Sequence, residues 1–210
     1  MRFKLRWSDL LAAMYFIVIT LLLFLQRDQF ISLTKAYPYL LGFLKVALLA
    51  TFGECLKHRI GSDKSWIPSR IVIRFFVWGL FGMWFTWAFP HTDGGVTALI
   101  AQGFWPNGSA VWLAFSKSLS INILSGYAFF MMLIHFWFDV MIDKRFCSLW
   151  GVFGESEARR WAKRVILSIP FFWLGAHTGT FSLPPEWRIV CAAYLAVCLG
   201  ATLAFAEKRS

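Results

Sequence analysis

The side chains with chemistry to offer sit inside apolar runs. Lys45, Asn122, His177, Thr178 and Thr180 form one set, and Glu54, Arg74, His135 and Asp139 form another. An ammonium, an imidazole, an amide and hydroxyls facing a shared space offer charge and hydrogen bonds to a passing polar solute. A carboxylate and a guanidinium at one depth neutralise each other. Counting helical residues inward at about 1.5 Å each puts Glu54 and Arg74 equally deep on consecutive segments. His135 and Asp139, four apart, share one helix side near the same face. Lys45 and His177 fall in a second layer nearer the opposite face, with Asn122 slightly above. His177 is thus expected to face Lys45 across a polar crevice.

Each group also has a structural reading. Glu54 and Arg74 can be a plain ion pair, or can snorkel to headgroups. His177 can be a satisfied packing residue, with Gly175 and Gly179 giving a GxxxG face for close helix contact, the reading favoured for those glycines. Thr178 and Thr180 can bond their own helix carbonyls. Lys45, about seven residues into its segment, is hardest to explain as a snorkelling side chain. Catalytic motifs are missing: there is no HExxH, GxSxG or Walker loop, and the aspartates are scattered. Cys spacing suggests neither metal nor disulfide, and Cys191 and Cys198 read as small hydrophobes. A haem between His135 and His177 would need both at one depth, whereas the count separates them by roughly 14 Å. No enzyme activity, metal or cofactor is expected.

The elements that must position these residues follow from composition. Of 210 residues 59% are hydrophobic and 15% charged, mean hydropathy is +0.61, and there are 12 Trp and 23 Phe. Soluble domains carry about 25% charged residues, so the chain reads as one all-α polytopic transmembrane bundle over 1–210. Six spans are expected, at about 9–26, 38–57, 71–90, 119–140, 163–183 and 188–206. Residues 91–117 between them read as an interfacial or re-entrant loop turning at Phe104-Trp105-Pro106-Asn107-Gly108. Pro170 should kink the fifth span or lean on a neighbour. Polar Gln26-Arg27-Asp28-Gln29 after the first run suits a retained helix better than a cleaved leader.

Basic residues cluster between the apolar runs, which argues for topology rather than nucleic acid despite a net charge of +10. With the N-terminus inside, sixteen Lys and Arg fall on inner segments and four on outer ones, Arg27, Lys35, Lys117 and Arg188. That predicts N-in and C-in, with Cys55 and Cys147 at inner helix ends.

The C-terminal third resembles the Mpv-seventeen / 22-kDa peroxisomal membrane protein family. Its carriers are Pro170 in a helix, then Phe181, a Leu-Pro-Pro stop including Pro185, and Arg188 opening a last helix. "FGECLKH" is similar to the family's Gly-Asp helix end, with Gly53-Glu54 in that place, and "GMWF", with Trp84, is similar to its Gly-x-Trp-Tyr motif. Thr180 stands where the family has Asn. The resemblance covers roughly residues 34–208 and implies a small membrane protein of a family in which some members are regarded as weakly selective channels. The leading expectation is therefore a channel or pore-like protein passing small hydrophilic solutes. The alternatives are a non-catalytic structural or assembly factor and, third, a membrane-embedded enzyme. Expected partners are membrane lipid, the solutes themselves and a second copy in a homo-oligomer. A bacterial inner membrane suits the leader, or an organellar membrane if the source is eukaryotic.

Overall fold

The computed structural model describes residues 5–62, 65–144 and 156–209, and among them the backbone is helical with short turns and no strand. Cys147 and the basic residues Arg2, Lys4, Lys64 and Arg145 lie outside the described residues. Two units partition the chain: Met1–Gly82 with Ala193–Ser210, and Met83–Ala192.

The first unit is built on α1 (Trp7–Leu25), α2 (Arg27–Ala36), α3 (Pro38–Ser62), the start of α4 (Ile71–Ala101) and the end of α9 (Pro185–Arg209). Asp9, in the first turn of α1, accepts the Arg6 N–H at 2.9 Å, which satisfies one of the donors a helix start leaves open. Pro38 and Pro185 open their helices, where a missing N–H costs nothing. Val46, Ala47, Leu49 and Ala50 of α3 are at most 2% exposed and form the core of this unit. Glycine permits the closest approaches. A Cβ on Gly82 would strike the Gly42 carbonyl, and one on Gly53 would lie 3.2 Å from the Val197 backbone. α1 meets α3 and α9 through Phe16, which stacks on Phe52 and meets Tyr194 edge-on. Thr20 and Tyr194 share a 2.7 Å hydrogen bond.

The second unit holds the rest of α4, then α5 (Ala110–Leu119), a π-helical stretch π1 (Ser120–Leu124), α6 (Tyr127–Lys144), α7 (Ser156–Ser168), a second π stretch π2 (Ile169–Trp173), α8 (Leu174–Phe181) and the start of α9. Pro170 explains π2. Its ring displaces the carbonyl four residues back and it has no N–H to give, so the turn widens and the Leu174 N–H reaches the Ile169 carbonyl, five residues back. In π1 the Ser125 N–H and hydroxyl both reach the Ser120 carbonyl, at 2.9 and 2.8 Å. Gly126 then adopts φ +74°, a left-handed conformation that glycine tolerates.

Several expected boundaries change. Residues 91–101 are not loop, because α4 runs through Pro90 to Ala101. The turn at 102–109 does form. Ser109 caps α5 by accepting the Trp112 N–H at 3.3 Å, and Trp105 and Trp112 donate their indole N–H groups to Ser116 Oγ and the Pro106 carbonyl, both at 2.9 Å. The segment expected at 119–140 begins earlier, at Ala110, and bends by 50° at Ser125-Gly126. Among the described residues three helices are long and apolar enough to cross a membrane, Trp7–Leu25, Pro38–Gly61 and Ile71–Ala101; the bent pair makes a fourth if it counts as one span. The fifth expected span falls short of that measure, since α7 is strongly basic and π2 separates it from the eight-residue α8.

Candidate functional site

The second unit carries a buried polar seam along α5, π1, π2 and α8. Ser116, Ser118 and Thr180 are fully buried, and Asn122 is 2% exposed. Ser118 Oγ donates to the Leu174 carbonyl at 2.6 Å. The Asn122 amide donates to the Ser118 carbonyl at 2.8 Å, and lies 3.2 Å from Ser118 Oγ and 3.4 Å from the Trp173 carbonyl. These contacts turn the Asn122 oxygen toward His177, whose Nδ1 is 3.1 Å away. That oxygen only accepts, so Nδ1 carries the proton and Nε2 of the neutral ring is the acceptor, an assignment made from the network. The partner expected for His177 was Lys45; the hydrogen-bond partner it has on the facing helix is Asn122.

Local chemistry explains the seam. A wide π turn loosens the helical ladder, and side chains from the facing helix take up its carbonyls. The Leu174 carbonyl accepts both Ser118 Oγ and Thr178 Oγ1, the latter at 2.7 Å. Thr180 Oγ1 donates to the Ala176 carbonyl at 3.0 Å and lies 3.4 Å from Cys191 Sγ. Thr178 and Thr180 thus bond their own helix carbonyls. The hydroxyl of Ser118 goes to a carbonyl and not to the ring, so this geometry does not make an activated nucleophile. His177 lies between Trp173, with centroids 5.1 Å apart, and Phe89, at 5.7 Å. The Trp173 indole N–H is buried with no hydrogen-bond partner, as is the Thr92 hydroxyl.

The glycines expected to pack here do not. A Cβ at Gly175 or Gly179 would meet nothing within 4 Å, and both residues are exposed. The reason is azimuth: His177, bonded to Asn122, and Thr180, beside Cys191, mark the packed side of α8, and the glycines lie on the other.

At the α8–α9 turn the motif residues assemble. Phe181, 4% exposed, packs on Phe89 and lies under the Arg188 guanidinium, 5.3 Å from ring centroid to Cζ. Arg188 Nε donates to the Leu183 carbonyl at 3.1 Å and Nη1 to Asp93 at 2.8 Å. Lys117 pairs with the other Asp93 oxygen. Two cations on one carboxylate leave a net positive group. Of the remaining motif positions, Pro170 is the second residue of π2, Pro185 opens α9, Trp84 is half-buried in α4 and Gly53 faces Val197. On α6, His135 Nδ1 is 3.4 Å from Asp139.

The first unit holds the other expected residues. Lys45, 6% exposed, donates to Thr34 Oγ1 at 2.7 Å and lies 4.3 Å from the centre of the Phe30 ring. Arg74 and Glu54 meet at 3.6 Å, and Arg74 also reaches the Ser69 carbonyl at 3.3 Å. A stronger pair was not foreseen. Arg59, 2% exposed, grips Asp9 with both ends of its fork, at 2.8 and 2.9 Å, while the Trp66 indole donates to the same carboxylate at 2.6 Å. The available signal was an acid in the first turn of one apolar helix and a base in the last turn of the next.

No family model, curated protein or solved structure matches this chain.

Proposed function

We propose that the chain is an integral membrane protein that passes small hydrophilic solutes, with the path running along the α5–α8 seam. The membrane part of this reading draws on α1, none of whose residues is buried and which presents Leu11, Leu22 and Phe24 at 63%, 55% and 63% exposure. Such a surface is stable against acyl chains and costly in water. Six spans with both ends inside, in a bacterial inner or an organellar membrane, suit the charge pattern, and the resemblance to the Mpv-seventeen family points the same way.

One observation carries the conducting reading. The buried Trp173 N–H lacks a partner, and its ring lies beside that of His177. A buried donor is rarely left unmet. Water or a hydroxylated solute would meet this one. The test is solute entry into proteoliposomes, followed by light scattering with glycerol as the probe. Wild-type protein is expected to raise glycerol permeability above that of empty vesicles, and Trp173→Phe, which keeps the ring and removes the N–H, to lower it several-fold. Vesicles no more permeable than empty ones sink the proposal.

A structural or assembly role is the second reading, favoured by Thr178 and Thr180 serving only helix carbonyls and a cysteine. Under it, Asn122→Leu lowers stability while permeability never differs from that of empty vesicles.

A further inference from the structure

The basic residues of α7 share one side of the helix. At about 100° per residue, Arg159, Arg160, Lys163 and Arg164 fall within an arc of about 140°, and all four are exposed. The opposite side is occupied: Trp161 stacks on Phe136 with centroids 4.8 Å apart and planes 17° from parallel, and Val165 is 4% exposed. The basic side therefore faces outward while its backbone is fixed on α6.

One turn further on, the exposed surface changes character. Leu167 follows Lys163 by four residues and Ile166 follows it by three, and they are 48% and 60% exposed; Phe171 in π2 is 84% exposed. Reading outward along the helix, cationic groups come first and open hydrocarbon directly after. An acidic peptide or a nucleic acid would satisfy the first part and leave the second in water. A phospholipid supplies both in that order, phosphate oxygens and then acyl chain.

We infer that this face of α7 is a headgroup site for an anionic glycerophospholipid, one whose phosphodiester charge is not cancelled by a headgroup amine. Arg159, Arg160 and Lys163 hold the phosphate, while Ile166, Leu167 and Phe171 take the first methylenes of the chains. The inference rests on the membrane placement proposed above but not on solute passage. Arginine suits the role because its fork offers paired donors to phosphate oxygens.

The test is native mass spectrometry of the full chain in a neutral detergent, with phosphatidylglycerol and phosphatidylcholine in equal amounts. A basic residue at an anionic surface contributes about fivefold in affinity, so Arg159→Gln/Arg160→Gln/Lys163→Gln is expected to lower phosphatidylglycerol retention on the order of a hundredfold at low ionic strength, and less in physiological salt. Retention of phosphatidylcholine should stay the same. Arg27→Gln/Lys35→Gln/Lys57→Gln, an equal charge loss at three other exposed positions, should change neither, and Arg159→Lys/Arg160→Lys should keep most of the preference. Equal retention of both lipids by wild-type protein overturns the site while leaving the membrane placement intact. An equal fall in the control triple variant overturns it too, by reducing the effect to net charge. Protein that stays monodisperse without detergent and takes up neither lipid refutes the membrane placement itself.

Discussion

Replacing Arg59 by Met should expose how much one fork of hydrogen bonds holds α1 to α3. The substitution keeps most of the stem volume and removes two charge-assisted bonds to Asp9, at 2.8 and 2.9 Å. Breaking a fully buried pair costs about 3–5 kcal/mol. Less is expected here, because Asp9 lies in the first turn of its helix, where solvent screens part of the charge. The carboxylate also keeps the Trp66 and Arg6 N–H donors. About 2 kcal/mol follows for Arg59→Met. Asp9→Asn should cost at least as much, since it leaves a guanidinium 2% exposed against a weaker acceptor. The double variant removes both charges, and a coupling of about 1.5 kcal/mol is expected. Unfolding in mixed detergent micelles gives all four corners of the cycle. A coupling below about 0.5 kcal/mol would refute the reasoning.

Glu54 and Arg74 meet at the longer distance of 3.6 Å, so Glu54→Leu/Arg74→Leu should show a smaller coupling, under about 1 kcal/mol by the same unfolding cycle. Gly82→Ala drives a methyl into the Gly42 carbonyl and should cost at least about 2 kcal/mol by overpacking; a melting temperature equal to wild type would contradict that contact. Gly175→Ala and Gly179→Ala meet open space and should raise stability by about 0.5–1 kcal/mol each through helix propensity. Loss of stability in either would mean that a second chain packs there. Arg188→Lys loses the Leu183 bond and the Phe181 ring contact while keeping a charge near Asp93, and should cost about 1–2 kcal/mol in melting experiments.

Helix content, the first three long apolar helices and the turn at Phe104–Gly108 were legible because they depend on runs of one residue class. The meeting of Glu54 with Arg74 was legible too, because the two hold corresponding places on consecutive apolar helices; the meeting of His177 with Asn122 was not, since counting along the helices set Lys45 opposite the ring. Azimuth was not legible either. Whether Gly175 or Thr178 faces a neighbouring helix depends on rotation about the axis, and in segments apolar on nearly every side no amphipathic stripe fixes it. Asp9 with Arg59, and Asp93 with Lys117 and Arg188, escaped notice for a related reason. Each residue alone looks like an ordinary charge at a helix end, and only the packing joins positions 50 and 95 residues apart. The bend at Gly126 and both π turns were hidden because a proline or a serine-glycine pair marks a disturbance without saying how the backbone absorbs it.

The π turns also make chain length a variable at this place. A π stretch holds one residue more than an α-helix would need to cover the same rise, so deleting one residue within Ile169–Trp173 lets the helix close into regular α geometry with little backbone penalty. Because the wide turn takes up the extra residue, the helix on either side stays in phase, and everything beyond such a deletion keeps its azimuth. His177 would still meet Asn122, and Thr180 would still meet Cys191. A deletion in the regular part of α7 instead turns everything beyond it by about 100°. The helix thus tolerates losing a residue at 169–173 and not one turn earlier. Single-residue deletions through 160–173, scored for expression and melting temperature, would separate the two.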